Sequence, residues 1–89
     1  MKMENLEEKI SKNLEDLKQI LEIDNPINIP FEQKDKFLYD MNEIVMSGLN
    51  EKVYNYSTQV LHLIYKKRIG KHELWLDEFE LSVKSVLKY

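Results

Sequence analysis

The chain has 89 residues, 43% of them hydrophobic and 33% charged, with two glycines, two prolines, no cysteine and a formal net charge of −3. That length holds one domain burying about 60 to 65% of its unfolded surface, and the few turn residues argue against a β-sandwich or barrel. Without cysteine there is no disulfide framework and no thiolate zinc site, so packing must supply the stability, as is usual in a reducing compartment.

The N-terminal run MKMENLEEKI is acidic where an export signal would be basic and then apolar, and no stretch approaches the length of apolar chain that spans a bilayer. The expectation is a cytoplasmic protein without a membrane segment. Charge is unevenly placed: residues 1–50 hold six lysines against eleven carboxylates, and residues 51–89 hold seven cations against five. An acidic first half argues against nucleic-acid binding through it.

Met3, Leu6, Ile10, Leu14, Leu17 and Leu21 recur at intervals of three and four, which predicts a first helix over about 3–26 with one narrow apolar stripe. Glu4, Glu7, Glu8, Lys9, Lys12, Glu15, Asp16 and Lys18 surround it as a solvated face. The stripe stops at Asp24-Asn25-Pro26, so packing within the monomer is favoured over a dimeric coiled coil. Asp24 to Pro30 carries both prolines and reads as an extended connector that Ile27 or Ile29 pins to the bundle.

A second helix is expected over about 30–48. Lys34, Phe37, Leu38, Met41, Ile44 and Val45 share its inner face, Pro30 and Glu32 suit its first turn, and Gly48 is its stop. Asn50 then caps a third helix over about 50–69, with Leu49 and Tyr54 placed for a hydrophobic staple. A turn this short predicts that the second and third helices are antiparallel neighbours.

The third helix carries Val53, Tyr56, Ser57, Val60, Leu63 and Ile64 on one face, and Tyr54, Leu61 and Tyr65 widen this to an arc of roughly 200°. It therefore reads as the central helix, with Tyr54 and Tyr56 assigned to packing. Lys66-Lys67-Arg68 and Gly70 end it as a C-terminus requires. A fourth helix over about 71–88 buries Trp75, Leu76, Phe79, Val83, Val86 and Leu87. The fold class expected is all-α, a single antiparallel four-helix bundle.

Chemistry-bearing motifs are scarce. His62 and His72 lack ligand partners at helical spacing, the serines lie in no nucleophile elbow or SxxK pattern, and two glycines cannot build a phosphate-cradling loop. No enzyme activity, cofactor or metal is expected. Lys66-Lys67-Arg68 with Lys71 and Tyr65 invites a nucleic-acid reading, but four cations on an acidic chain suit helix termination better.

Apolar residues off the core stripes say more. Tyr39 and Met46 fall together on the outer side of the second helix, flanked by Asp35, Asn42 and Glu43. Leu74 and Leu81 do the same on the fourth, beside Asp77 and Glu78. Large apolar groups in an acidic setting point to a surface for a basic protein partner, with Tyr39, Glu43, Met46, Leu74, Asp77, Glu78 and Leu81 as contact residues. Scattered surface hydrophobes are the bland alternative, and self-association through Leu74 and Leu81 a third.

An acidic, cysteine-free, all-helical chain of this length resembles the small immunity proteins that neutralise bacterial toxins of bacteriocin and contact-dependent inhibition systems. The resemblance is one of architecture, without a shared residue motif. It implies a tight 1:1 complex covering the active or substrate surface of a basic toxin domain, often a nuclease. The competing class is a phage- or plasmid-type regulatory or adaptor protein that binds a cellular protein or dimerises.

Overall fold

The computed structural model describes residues 5–23, 31–48, 50–69 and 74–88. They form four helices and no strand: α1 (Leu6–Glu22), α2 (Phe31–Met46), α3 (Glu51–Arg68) and α4 (Leu74–Leu87). Each is shorter than its expected span. The connector carrying both prolines, the segment around Gly70 to Glu73, Met3 and Leu49 lie outside the described residues.

Local chemistry explains the helix ends. Asn5 caps α1, its Oδ1 accepting from the Glu8 amide at 3.1 Å, and the carboxylates of Glu7 and Glu8 sit at the positive end of the helix. Asn50 caps α3 in the same way, accepting from the Val53 amide at 2.9 Å. The last turn of α2 closes when the Ser47 amide donates to the Glu43 carbonyl at 3.1 Å and the Ser47 hydroxyl to the Ile44 carbonyl at 2.6 Å. Gly48 follows at φ +128°, with open space where a Cβ would stand. Any penalty for a side chain there is therefore backbone strain alone. Gly48→Ala is expected to destabilise by about 1–2 kcal/mol and to lower Tm by about 5 °C or more in a thermal melt.

One core joins all four helices. It comprises Leu17, Ile20 and Leu21 of α1; Phe37, Met41 and Ile44 of α2; Val53, Tyr56, Val60 and Ile64 of α3; and Leu76, Phe79, Val83 and Leu87 of α4. The inner faces of α2 and α4 are those that their periodicity predicts. On α1 the buried centre is turned toward α2: Ile20 and Asn13 are buried, while Leu6, Ile10 and Leu14 are only half-buried. A helix with two neighbours buries the flanks of its stripe as well as the middle.

Neighbour relations differ from the expected order. The close packing pairs are α1 with α2, α1 with α3, α2 with α4 and α3 with α4; α2 and α3 touch little, despite the short turn between them. They lie across the diagonal of the bundle. Gln19 meets Gln33 at 3.4 Å and Asn13 meets Phe37, so α1 and α2 are antiparallel. Glu7 meets Lys52 and Asn13 meets Tyr56, so α1 and α3 run in the same direction. α2 and α3 therefore run in opposite directions, as the short turn predicts, but they are not the packed neighbours expected from it. A short turn brings two helix ends together but does not make the helices pack along their lengths.

The wide arc read on α3 also narrows. Its buried residues are Val53, Tyr56, Ser57, Val60 and Ile64, a single stripe, and α3 is no more central than its neighbours. Tyr54, assigned to packing beside Tyr56, is 68% exposed. Arg68 pairs with Asp77 and Glu80, and Tyr65 lies against Lys84, so α4 runs antiparallel to α3 and ends before it reaches the Tyr54 flank.

A polar pin crosses this apolar interior. Asn13 of α1, fully buried, donates from Nδ2 to the Phe37 carbonyl of α2 at 3.1 Å and accepts from the Tyr56 hydroxyl of α3 at 2.6 Å. Burial, with the Asp40 charge adding to it, holds the Tyr56 phenol far above its ordinary value. Linkage gives the sign. Below the unfolded value of 10.0 the neutral phenol's contribution is intact; above it the unfolded chain loses a proton that the folded chain keeps, and stability falls. Tyr56→Phe should therefore flatten the decline of unfolding free energy above pH 10 by about 1.4 kcal/mol per pH unit, read from urea melts at successive pH values.

Candidate functional site

Among the described residues seven large apolar side chains are exposed: Tyr39 and Met46 on α2, Tyr54, Tyr65 and Ile69 at or just beyond α3, and Leu74 and Leu81 on α4. The four apolar residues singled out from sequence are among the most open, at 64%, 68%, 74% and 69% for Tyr39, Met46, Leu74 and Leu81. They fall on two surfaces with different chemistry.

The α2 surface follows from the register of the helix. With Phe37, Met41 and Ile44 turned inward, positions 39 and 46 project outward, one heptad apart and on the same side. Tyr39 reaches Glu43 one turn on. The Glu43 charge, together with a hydrogen bond from the phenol, raises the Tyr39 hydroxyl above its ordinary value. Asp35, Asn42 and Glu43 are exposed around the pair. On the opposite flank Asp40 and Glu43 line a small groove of about 140 Å³ together with Lys9, Lys12 and Lys36, so that edge carries mixed charge. Tyr39→Ala combined with Met46→Ala is expected to shift Tm by no more than about 3 °C, because neither side chain is part of the core. A large loss of stability in a calorimetric scan would place the pair in the core instead.

The α4 surface is built differently from the one read in the sequence. Asp77 is paired while its side chain stays 45% exposed: Arg68 bonds it through Nη1 and reaches Glu80 through Nη2 at 2.9 Å, stitching the end of α3 to the start of α4. The hydrogen bond to Asp77 raises the guanidinium above even its usual high value, and Glu80 adds to the effect. Glu80 is shared with Lys84 at 3.7 Å, and Lys84 lies 5.8 Å from the centre of the Tyr65 ring. Leu74 and Leu81 flank Asp77 at three and four residues along α4, while Tyr65 and Ile69 flank Arg68 on the other side. All four of these apolar side chains are exposed, and the charges between the end of α3 and the start of α4 are paired. Tyr65, read from sequence as part of the packed arc of α3, is instead 46% exposed, and Ile69 had no place in that reading. Glu78 stays exposed, and its carbonyl accepts from the Ser82 hydroxyl at 3.1 Å.

The basic run at the end of α3 does not act as one patch. Successive residues project about 100° apart; Arg68 turns to α4, whereas Lys66 and Lys67 turn to the groove beside α1. Lys71 lies outside the described residues. His62 is exposed, and no group of three or more His, Asp or Glu placed to hold a metal occurs among the described residues. No described helix is long and apolar enough to cross a membrane. The chain matches no protein-family model, no curated protein and no solved structure.

Proposed function

We propose that this protein acts by stoichiometric, non-catalytic binding of another protein, and that it is an immunity protein neutralising a basic bacterial toxin domain. The observation that carries the reading is the Tyr39–Met46 pair. Two large apolar side chains stand outward on a helix whose inner face is locked in the core, with exposed Asp35 and Glu43 beside them. A rigid aromatic anchor with an acidic rim is the economical way to hold a basic partner: the anchor supplies affinity, and the charge steers encounter. The net charge of −3 points the same way. In cells, a toxin encoded beside this protein should arrest growth when expressed alone, and co-expression of this chain should restore it. Continued arrest in the presence of soluble, folded protein would count against immunity and in favour of an adaptor role.

The α3–α4 surface supports a second reading, self-association, because its charges are already paired and Tyr65, Ile69, Leu74 and Leu81 are left uncovered. Sedimentation across a wide concentration range separates the two readings. A dimer dissociated by Leu74→Lys with Leu81→Lys supports it; a monomer at every concentration removes it.

A further inference from the structure

The groove between α1 and α3 has a chemistry unlike the rest of the molecule. Because these helices run side by side in the same direction, Leu14 and Leu21 of α1 face Leu63 of α3 along a shared trough. Two adjoining hollows fill it. One, of about 310 Å³, is lined by Leu14, Lys18, Thr58, Gln59, His62 and Leu63. The other, of about 530 Å³, is lined by Lys18, Leu21, Glu22, Leu63, Lys66 and Lys67. Lys18 and Leu63 belong to both, so the trough is continuous. Leu14 and Leu63 are only half-buried, which leaves its apolar floor open.

The walls are cationic. Among the described residues Lys18 and Lys66, both exposed, line it beside Glu22, and Lys67 adds its stem to the wall, on a protein of net charge −3. From Leu14 to Glu22 the trough extends roughly 12 Å at 1.5 Å per residue, the length of two to three helical turns. An apolar floor between two helices takes a third helix through residues spaced three, four and seven apart, and lysine rims select acidic flanks on that helix. Nucleic acid fits poorly, because a phosphodiester strand has no use for a leucine floor and needs denser positive charge.

We propose that the α1–α3 groove is a docking site for an acidic amphipathic helix of a partner protein, held by Leu14, Leu21 and Leu63 and selected by Lys18 and Lys66. This site is separate from the Tyr39–Met46 surface and opposite to it in charge. A chain carrying both is able to hold two partners of opposite sign.

The test uses the full-length protein and a labelled, capped peptide of about 15 residues, with leucine at every third or fourth position and glutamate and alanine between. Fluorescence anisotropy should give a Kd on the order of 10–100 µM. Lys18→Glu combined with Lys66→Glu should weaken binding at least about tenfold. Both lysines are exposed, so the melting temperature should hold. In a heteronuclear NMR titration, amide shifts should gather in residues 14–22 and 58–67. A peptide with lysine in place of every glutamate should not bind. The proposal is overturned by no binding of the acidic peptide, by equal binding to the charge-reversed variant, or by equal binding of the lysine peptide. Binding confined to a thymidine oligonucleotide or to phosphatidylglycerol vesicles would likewise overturn it.

Discussion

Phe37→Ala is expected to be among the most damaging single truncations in the molecule, lowering unfolding free energy by about 3–5 kcal/mol. The side chain is fully buried, and its ring packs on that of Phe79 with centroids 5.8 Å apart and planes tilted by 43°. Such tilted pairs add about 0.5–1.5 kcal/mol to the burial of the ring itself. Phe37 is also the residue whose carbonyl receives Asn13, so a cavity here loosens the α2–α4 contact and the α1–α2 pin together. For an 89-residue domain with a stability of about 5–10 kcal/mol, the loss removes from about a third to all of it. Urea unfolding followed by circular dichroism reads this directly. A midpoint close to that of the parent protein would show that the interior collapses to fill the space.

Asn13→Ala is expected to follow, with a loss of about 2–4 kcal/mol, because it leaves two buried groups without their partner, the Phe37 carbonyl and the Tyr56 hydroxyl. Tyr56→Phe removes only one bond and leaves Asn13 Oδ1 unpaired, so about 1–3 kcal/mol is expected. The double variant should lose less than the sum of the two, since each single change already breaks the shared bond. Strict additivity in that cycle would show that the two side chains are energetically independent. Neither change touches an exposed surface, so a partner binding at Tyr39 and Met46 should meet the folded variants with unchanged affinity.

The sequence reads well where one helix decides the outcome alone. Periodicity finds the inner faces of α2 and α4, because Phe37, Met41 and Ile44, and then Leu76, Phe79, Val83 and Leu87, repeat at helical spacing. Gly48 marks the end of α2 and Asn50 the start of α3 through local backbone chemistry. It reads poorly where two helices must be known together. Asn13 looks like one more polar residue beside a leucine stripe, and only the positions of α2 and α3 reveal a donor and an acceptor both in use. Asp77 looks like an acidic contact until Arg68, nine residues earlier, is seen to turn back onto it. The outward aim of Tyr39, Met46, Leu74 and Leu81 was legible because it needs only the helix's own register. The exposure of Tyr54, Tyr65 and Ile69 was not, because it depends on where α4 lies and ends.

Surface charge follows the same division. Glu7 bonds Lys52 at 2.6 Å between α1 and α3, and that hydrogen bond, with the lysine's charge, lowers the Glu7 carboxyl below its ordinary value. Both side chains remain mostly exposed, so the pair serves register more than stability. It lies on the same α1–α3 flank as the basic groove, where a one-dimensional count of charges records only an acidic first half and a slightly basic second half.

In the proposed complex Tyr39 and Met46 anchor a protein partner on a core that does not need them. Calorimetric titration of the adjacent gene's product into the parent protein and into the variant with Tyr39→Ala and Met46→Ala tests it most directly. Tight 1:1 binding by the parent is expected, with a loss of at least about a hundredfold in the variant, about 2.7 kcal/mol, and melting temperatures that agree within a few degrees. Equal affinity for the two proteins would contradict it and move the interface off α2.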